Sequence, residues 1–242
     1  MVNVLVVGAS GRIGSAVVAA CIDRGHSVTA YLRTPSKLEQ SLREKVRVVQ
    51  GDAKDKEALE NAMEGQDAIV QAAVYGSNTP WGTSDSEVVV RAVVEAVKGR
   101  AAAGHKLRLW LLSGQVLMDL PHYPGWIEGD AVPIHPEHYA NFKLLREEAK
   151  ELDWSLLCPG KVDDEKPSGP IMYAVDTVPG WYTPGLVGKI PLIGPTLNVI
   201  YNWTKQKLTY ASVGAFLADH LGPGGEMHQK RVCILEDWKK KE

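Results

Sequence analysis

A glycine triplet set between a strand and a helix restricts this chain more than any other feature. Val2 to Val7 is a short, apolar, β-branched run that reads as a buried strand. Gly8-Ala9-Ser10-Gly11-Arg12-Ile13-Gly14 follows directly. Ile13, Val17, Val18, Cys21 and Ile22 then recur at helical spacing until Gly25 stops the run. Glycine is needed where a backbone turns tightly, where it approaches a pyrophosphate, and where a helix packs closely on a sheet. The helix start then offers unpaired N–H groups and a positive dipole end to phosphate. Strand, Gly-x-x-Gly-x-x-Gly loop and helix together predict a dinucleotide site. Gly8, Ser10, Gly11, Arg12, Ile13 and Gly14 are its expected contacts. The bland alternative is a loop whose glycines only pack helix on sheet.

The pattern after the loop extends this reading to a whole fold. Strand-like runs at Ser27–Leu32, Val46–Val49, Ala68–Ala73 and Leu107–Leu112 alternate with helical segments at 55–63 and 86–98. Val89, Val90, Val93, Val94 and Val97 lie on one side of the last of these. Such alternation predicts an α/β fold, a doubly wound parallel sheet with helices on both faces. Residues 115–134 read as loop, 136–152 as helix, Ser155–Cys158 as a sixth strand and Arg231–Leu235 as the last. Residues 1–242 read as one domain. Within it, 161–207 is rich in Gly and Pro and reads as a small C-terminal substrate-binding elaboration, a lid or insert.

The end of the second strand bears on which dinucleotide is held. An acid there, about 20 residues past the glycines, would bind a ribose diol. Tyr31-Leu32-Arg33-Thr34 has none. Arg33, with Lys37 nearby, is suited to a 2′-phosphate, so NADP is expected over NAD. Asp52, after the third strand, reads as an adenine contact or as the cap of the next helix. Ala73, closing the fourth strand, completes the expected cofactor residues.

Composition excludes several classes. Hydrophobic residues make up 45% and charged residues 23% of the 242, which excludes wholesale disorder. A net charge of −2 argues against a generally basic nucleic-acid binder. Cys21, Cys158 and Cys233 are far apart and odd in number, so neither a disulfide framework nor a zinc site is expected. No signal-like segment precedes Val2 and no stretch reads as a membrane span, so a cytoplasmic setting is expected. The expected partner is a small-molecule substrate, with no nucleic acid and no integral membrane. Residues 175–207 are apolar enough to require cover, through Trp181, Tyr182, Leu186, Ile190, Leu192, Ile193, Leu197, Ile200, Tyr201 and Trp203. They are expected to close over the cofactor cleft; a homodimer contact or a membrane surface are the alternatives.

The runs VLVVGASGRIGSAVV, VTAYLRTPSKL, VRVVQGDAKD and GQDAIVQAA resemble the atypical short-chain dehydrogenases/reductases. The similarity is closest to the NmrA-like, NAD(P)H-binding branch that includes biliverdin-IXβ/flavin reductase. HYANFKLLREEAKELDWSLLCPG and LTYASVGAFLADHL resemble later segments of that branch, and 175–207 departs from it. The resemblance implies an NAD(P)-binding Rossmann fold and a reductase, and it leaves the substrate unassigned.

Short-chain dehydrogenases in general pair a Ser after the fifth strand with Tyr-x-x-x-Lys. Ser113 stands in that place, and Tyr139-Ala140-Asn141-Phe142-Lys143 supplies the pair. Tyr139 would donate a proton, Lys143 would lower its pKa from the same helix face, and Ser113 would orient the substrate oxygen near the nicotinamide. The alternatives are a mere snorkelling edge for Tyr139 and Lys143, and a general acid among His122, His135, His138 or Asp119. A metal is not expected, because His-x-x-His lacks carboxylate spacing. The leading expectation is an NADPH-dependent oxidoreductase acting on a flavin, tetrapyrrole, quinone or secondary metabolite. A non-redox isomerase or cyclase, or an NADP-binding redox-sensing regulator, would use the same scaffold.

Overall fold

The computed structural model describes residues 1–73, 84–182, 190 and 193–237. Leu186, Leu192 and the Lys239-Lys240-Lys241 tail lie outside the described residues. The strands are β1 (Asn3–Val7), β2 (Ser27–Leu32), β3 (Arg47–Gln50), β4 (Ala68–Gln71), β5 (Arg108–Leu112), β6 (Asp153–Leu157), β7 (Ile171–Val175) and β8 (Lys230–Glu236). The helices are α1 (Arg12–Asp23), α2 (Gln40–Arg43), α3 (Lys56–Ala62), α4 (Ser86–Ala102), α5 (Glu128–Ala131), α6 (Pro136–Glu148), α7 (Gly194–Trp203) and α8 (Tyr210–Asp219).

The strands form one sheet in the order β3-β2-β1-β4-β5-β6-β8-β7. All neighbours are parallel except β7 and β8. Successive residues alternate faces along each strand. In β1, Val4 and Val6 join the core of one face, while Leu5 and Val7 join that of the other. Both faces are therefore apolar, as a parallel sheet covered on each side requires. Val17, Val18 and Cys21 of α1 and Val213, Phe216 and Leu217 of α8 cover the first face. Leu59, Val89, Val93, Val97 and Leu145 of α3, α4 and α6 cover the second. This is the doubly wound Rossmann-like fold expected from the alternation.

All three cysteines are free and buried. Burial pushes the thiols of Cys21 and Cys158 up to about 12. His26 bridges Val2 N–H and the Ala218 carbonyl at 3.3 and 3.1 Å, tying the first strand to α8.

Two differences from the sequence reading have physical causes. β7 lies inside the Gly- and Pro-rich stretch 161–207, read as a lid or insert. It is an antiparallel edge strand whose residues are only partly covered, so it has no continuous apolar run to announce it. The other is α7, which buries Gly194, Pro195, Asn198, Val199 and Asn202 and turns Ile193, Leu197, Ile200 and Tyr201 to solvent. The reason is polar. The Asn202 side chain both accepts from Tyr182 N–H and donates to its carbonyl, at 2.9 and 2.8 Å. The inward face is spent on holding the 181–182 backbone, and the apolar face is left outside.

Candidate active site

The strand order reverses direction at β1 and β4, and the crevice at their carboxyl ends is where open α/β sheets bind ligands. The glycine loop forms its floor. Gly8 has φ +83°, and a Cβ there would stand 2.6 Å from the Ala73 backbone. A Cβ on Gly14 would stand 2.2 Å from the Gly8 carbonyl oxygen, so α1 sits on the loop only because residue 14 lacks a side chain. Gly11 precedes α1 without a side-chain cap, and the first turn carries no acid. The positive end of the helix is thus left for an anion.

From this loop a cleft of about 560 Å³ runs toward β2 and β3. Gly8, Ser10, Gly11, Arg33, Lys37 and Ala73 line it with Tyr31, Leu32, Thr34, Gly51, Ala53 and Ala72. Among the described residues, two basic side chains and no acid line it. A helix start with free N–H groups, small residues and a basic end together suit a phosphate-bearing dinucleotide. Arg12 turns away from this cleft, toward the Tyr210 hydroxyl at 3.5 Å and Asp164 at 3.9 Å. Asp52 is exposed, and its carboxylate accepts from Lys54 N–H at 3.0 Å; the cap of α3 is Asp55, which accepts from Ala58 N–H. Of the two roles expected for Asp52, the helix cap is therefore corrected.

A second cleft of about 580 Å³ opens on the other side of the loop, over the ends of β5 and β6. Ile13, Leu112, Val116, Ile134, Pro159, Val162 and Trp203 give it apolar walls, with Ser113, Gln115, His135, His138, Lys161, Gln206 and Tyr210 as polar points. Ser113 follows β5 directly, and its N–H still pairs with the Leu157 carbonyl at 2.8 Å. Its hydroxyl lies 3.3 Å from Nδ1 of His138.

The structure brings Ser113 together with His138 and not with Tyr139, which corrects the expected Ser113–Tyr139–Lys143 grouping. Neighbouring residues of a helix point about 100° apart, and it is His138 that faces the cleft. Tyr139 is 60% exposed and lines an adjoining hollow beside Pro133 and Pro136, which shares Val116, Ile134 and His135 with the cleft, and Lys143 is exposed. Pro136 opens α6, and His135 before it adopts a left-handed backbone at φ 54°. That entry sets the helix so that the His138 ring lies over Gly114. Burial pushes the His138 imidazole down to about 4. The ring is therefore neutral at neutral pH. Nδ1 of His135 sits 3.3 Å from the Glu137 carboxylate, and one ring nitrogen each of His135 and His138 and a Glu137 carboxylate oxygen lie within 4.8 Å of one another.

Glu128 escaped the sequence reading. It is fully buried behind the second cleft, where its two oxygens accept from Gln115 Nε2 at 2.8 Å and Trp203 Nε1 at 2.9 Å. Burial raises its carboxyl to about 7, against the opposing pull of these two donors. Nothing in the local pattern of 115–134, read as loop, marks the acid that opens α5 as buried.

A family model described as NAD(P)H-binding matches residues 8–182, from the first loop glycine to the stretch tied by Asn202. The chain belongs to the NAD(P)H-binding family. Solved structures share the fold. A candidate NADH-flavin reductase of Streptococcus pneumoniae is 20% identical with a TM-score of 0.68, covering 98% of this chain and 100% of its own. A wide-type short-chain dehydrogenase/reductase of Veillonella parvula, solved with NADP, is 14% identical with a TM-score of 0.63, covering 97% and 94%. An uncharacterized protein of Mycobacterium tuberculosis is 24% identical over 232 residues, 87% of this chain. The chain spans about a quarter of the length of the curated relatives it matches, 26% in that case. Among the described residues no helix is long and apolar enough to cross a membrane.

Proposed function

We propose that the protein is an NADPH-dependent reductase of a planar, largely apolar small molecule. The observation that carries this reading is the pair of clefts meeting at one glycine loop, with Gly11 lining the first and Ile13 the second. NADPH, when bound, would supply a hydride, and the protein's residues would place it. Gly8, Ser10, Gly11 and the start of α1 would hold the phosphates, and Arg33 and Lys37 the 2′-phosphate.

In the second cleft, negative charge would develop on the substrate atom next to the carbon that is reduced. The Ser113 hydroxyl would donate to that atom. His138 would hold Ser113 in place, its Nδ1–H donating to the Ser113 oxygen and so turning the hydroxyl proton toward substrate. A neutral imidazole suits this positioning part better than that of a proton reservoir. The proton that completes the reduction would come from solvent.

The reading is tested by following NADPH consumption with riboflavin, menadione and isatin. Oxidation of NADPH coupled to any of these supports it; tight NADPH binding without turnover of any planar acceptor contradicts it. Cofactor choice is a separate result. NADPH should bind at least tenfold more tightly than NADH, about 1.4 kcal/mol, and Arg33→Ala should remove most of that margin. Equal calorimetric affinities for the two cofactors would contradict the assignment of Arg33.

A further inference from the structure

Gln115 holds an unusual position in the second cleft. Its residue is 3% exposed, yet it lines the cavity. Its backbone N–H is fixed to the Pro159 carbonyl at 3.1 Å, and its side-chain NH2 is committed to Glu128 at 2.8 Å. The amide oxygen, Oε1, has no hydrogen-bond partner among the described residues. Buried acceptors are rarely left unpaired, and each such group costs free energy unless something satisfies it. The amide cannot escape by turning over while Glu128 is ionised. A carboxylate presents only lone pairs, so the NH2 must face it and the oxygen must face away.

The direction in which the oxygen points is marked by Gly160. A Cβ built there would meet Gln115 Oε1 at 2.4 Å and Gln206 Oε1 at 3.2 Å. The Gln115 oxygen and the Gln206 side-chain amide therefore converge over one glycine in the cavity wall. Gly160 lines the same cleft as Ser113. Any side chain at residue 160 would displace the Gln115 oxygen.

We infer that Gln115 is a specificity-determining residue whose amide oxygen, aimed by Glu128, accepts a hydrogen bond from a ring N–H of the substrate. This rests on the reductase reading and narrows it. Heterocycles with a lactam, imide or pyrrole N–H satisfy the orphaned oxygen. Quinones, which have no donor, leave it unpaired. A site built to bond a donor rejects analogues that lack it, because the buried partner is then stranded.

Isatin and N-methylisatin test this directly, since they differ only in the N–H. Dissociation constants are measured by calorimetry with NADP+ present, and KM and kcat with NADPH. Isatin is expected to bind at least tenfold more tightly than N-methylisatin, with the difference in KM and little in kcat. Gln115→Met and Gly160→Ala should each bring the ratio close to one, with circular dichroism confirming that the variants fold. Glu128→Gln, which no longer dictates the amide's orientation, should give an intermediate ratio. Similar affinities in the unaltered protein overturn the inference while leaving a reductase that turns both over. A ratio that survives Gln115→Met shows simple crowding of the methyl group, and also overturns it. If neither compound binds and no planar acceptor is reduced, the reductase reading itself falls, and this inference with it.

Discussion

Ser113→Ala is expected to lower turnover by about 10²-fold while NADPH binding is unchanged, the usual size of the loss when one donor to a developing negative charge is removed. His138→Phe keeps a ring over Gly114 but removes Nδ1. It should cost about tenfold, and the double variant should lose little beyond Ser113→Ala alone, because the two act as one unit. Tyr139→Phe and Lys143→Met should stay within about twofold, since neither lines the Ser113 cleft. The pH profile separates positioning from proton donation. With its imidazole held near 4 by burial, His138 stays neutral from pH 6 to 9. An inflection of kcat in that range that vanishes in His138→Phe would contradict the positioning role. So would a Tyr139→Phe variant as impaired as Ser113→Ala.

The contrast between Ser113 and Tyr139 shows how far the sequence carries. Gly8, Gly11 and Gly14 were legible because a loop of this kind needs glycine for steric reasons that hold in any chain. The strands were legible because a sheet buried on both faces needs unbroken apolar runs. Ser113 was legible by its place at the end of β5. The choice between His138 and Tyr139 was not, because a rotation of about 100° at the start of α6 decides it. That rotation is set by the left-handed His135 and by the packing of Leu144 and Leu145 against the sheet. The apolar residues of 175–207 were legible only as a demand for cover, for a related reason. The count of Leu, Ile and Tyr gave the demand for cover, but Asn198 and Asn202 took the inward face of α7. Within the described part of that segment, Trp203 and Gln206 are the residues that reach the second cleft.

Glu128 is expected to give the protein a stability that falls as pH rises through neutrality. Its carboxyl stands near 4.5 when solvated and at about 7 in the fold, raised by burial. The folded state therefore holds the proton more tightly than the unfolded chain. Stability from this group is complete below about 4.5 and is lost as pH climbs through 7, by about 3 kcal/mol in all. Gln115 and Trp203 are the groups that face it, neither carries charge, and the nearby thiols of Cys158 and Cys233 are pushed up by burial and stay neutral. In urea unfolding at pH 5 and pH 8, the difference between the unaltered protein and Glu128→Gln should shift by about 2 kcal/mol in favour of the variant at the higher pH. The carboxylates held low, Asp153, Asp176, Asp219 and Glu236, titrate below this window. His138 titrates alike in both proteins and cancels. Parallel stability curves would show that Glu128 is ionised in the fold throughout. The same proton reaches the cleft. Once Glu128 is neutral its O–H can donate, the Gln115 amide is free to turn over, and the cavity wall offers NH2 where it had offered an oxygen. The preference for isatin over N-methylisatin should therefore weaken at pH 5, and a ratio unchanged between pH 5 and pH 8 would show that Glu128 does not govern the amide.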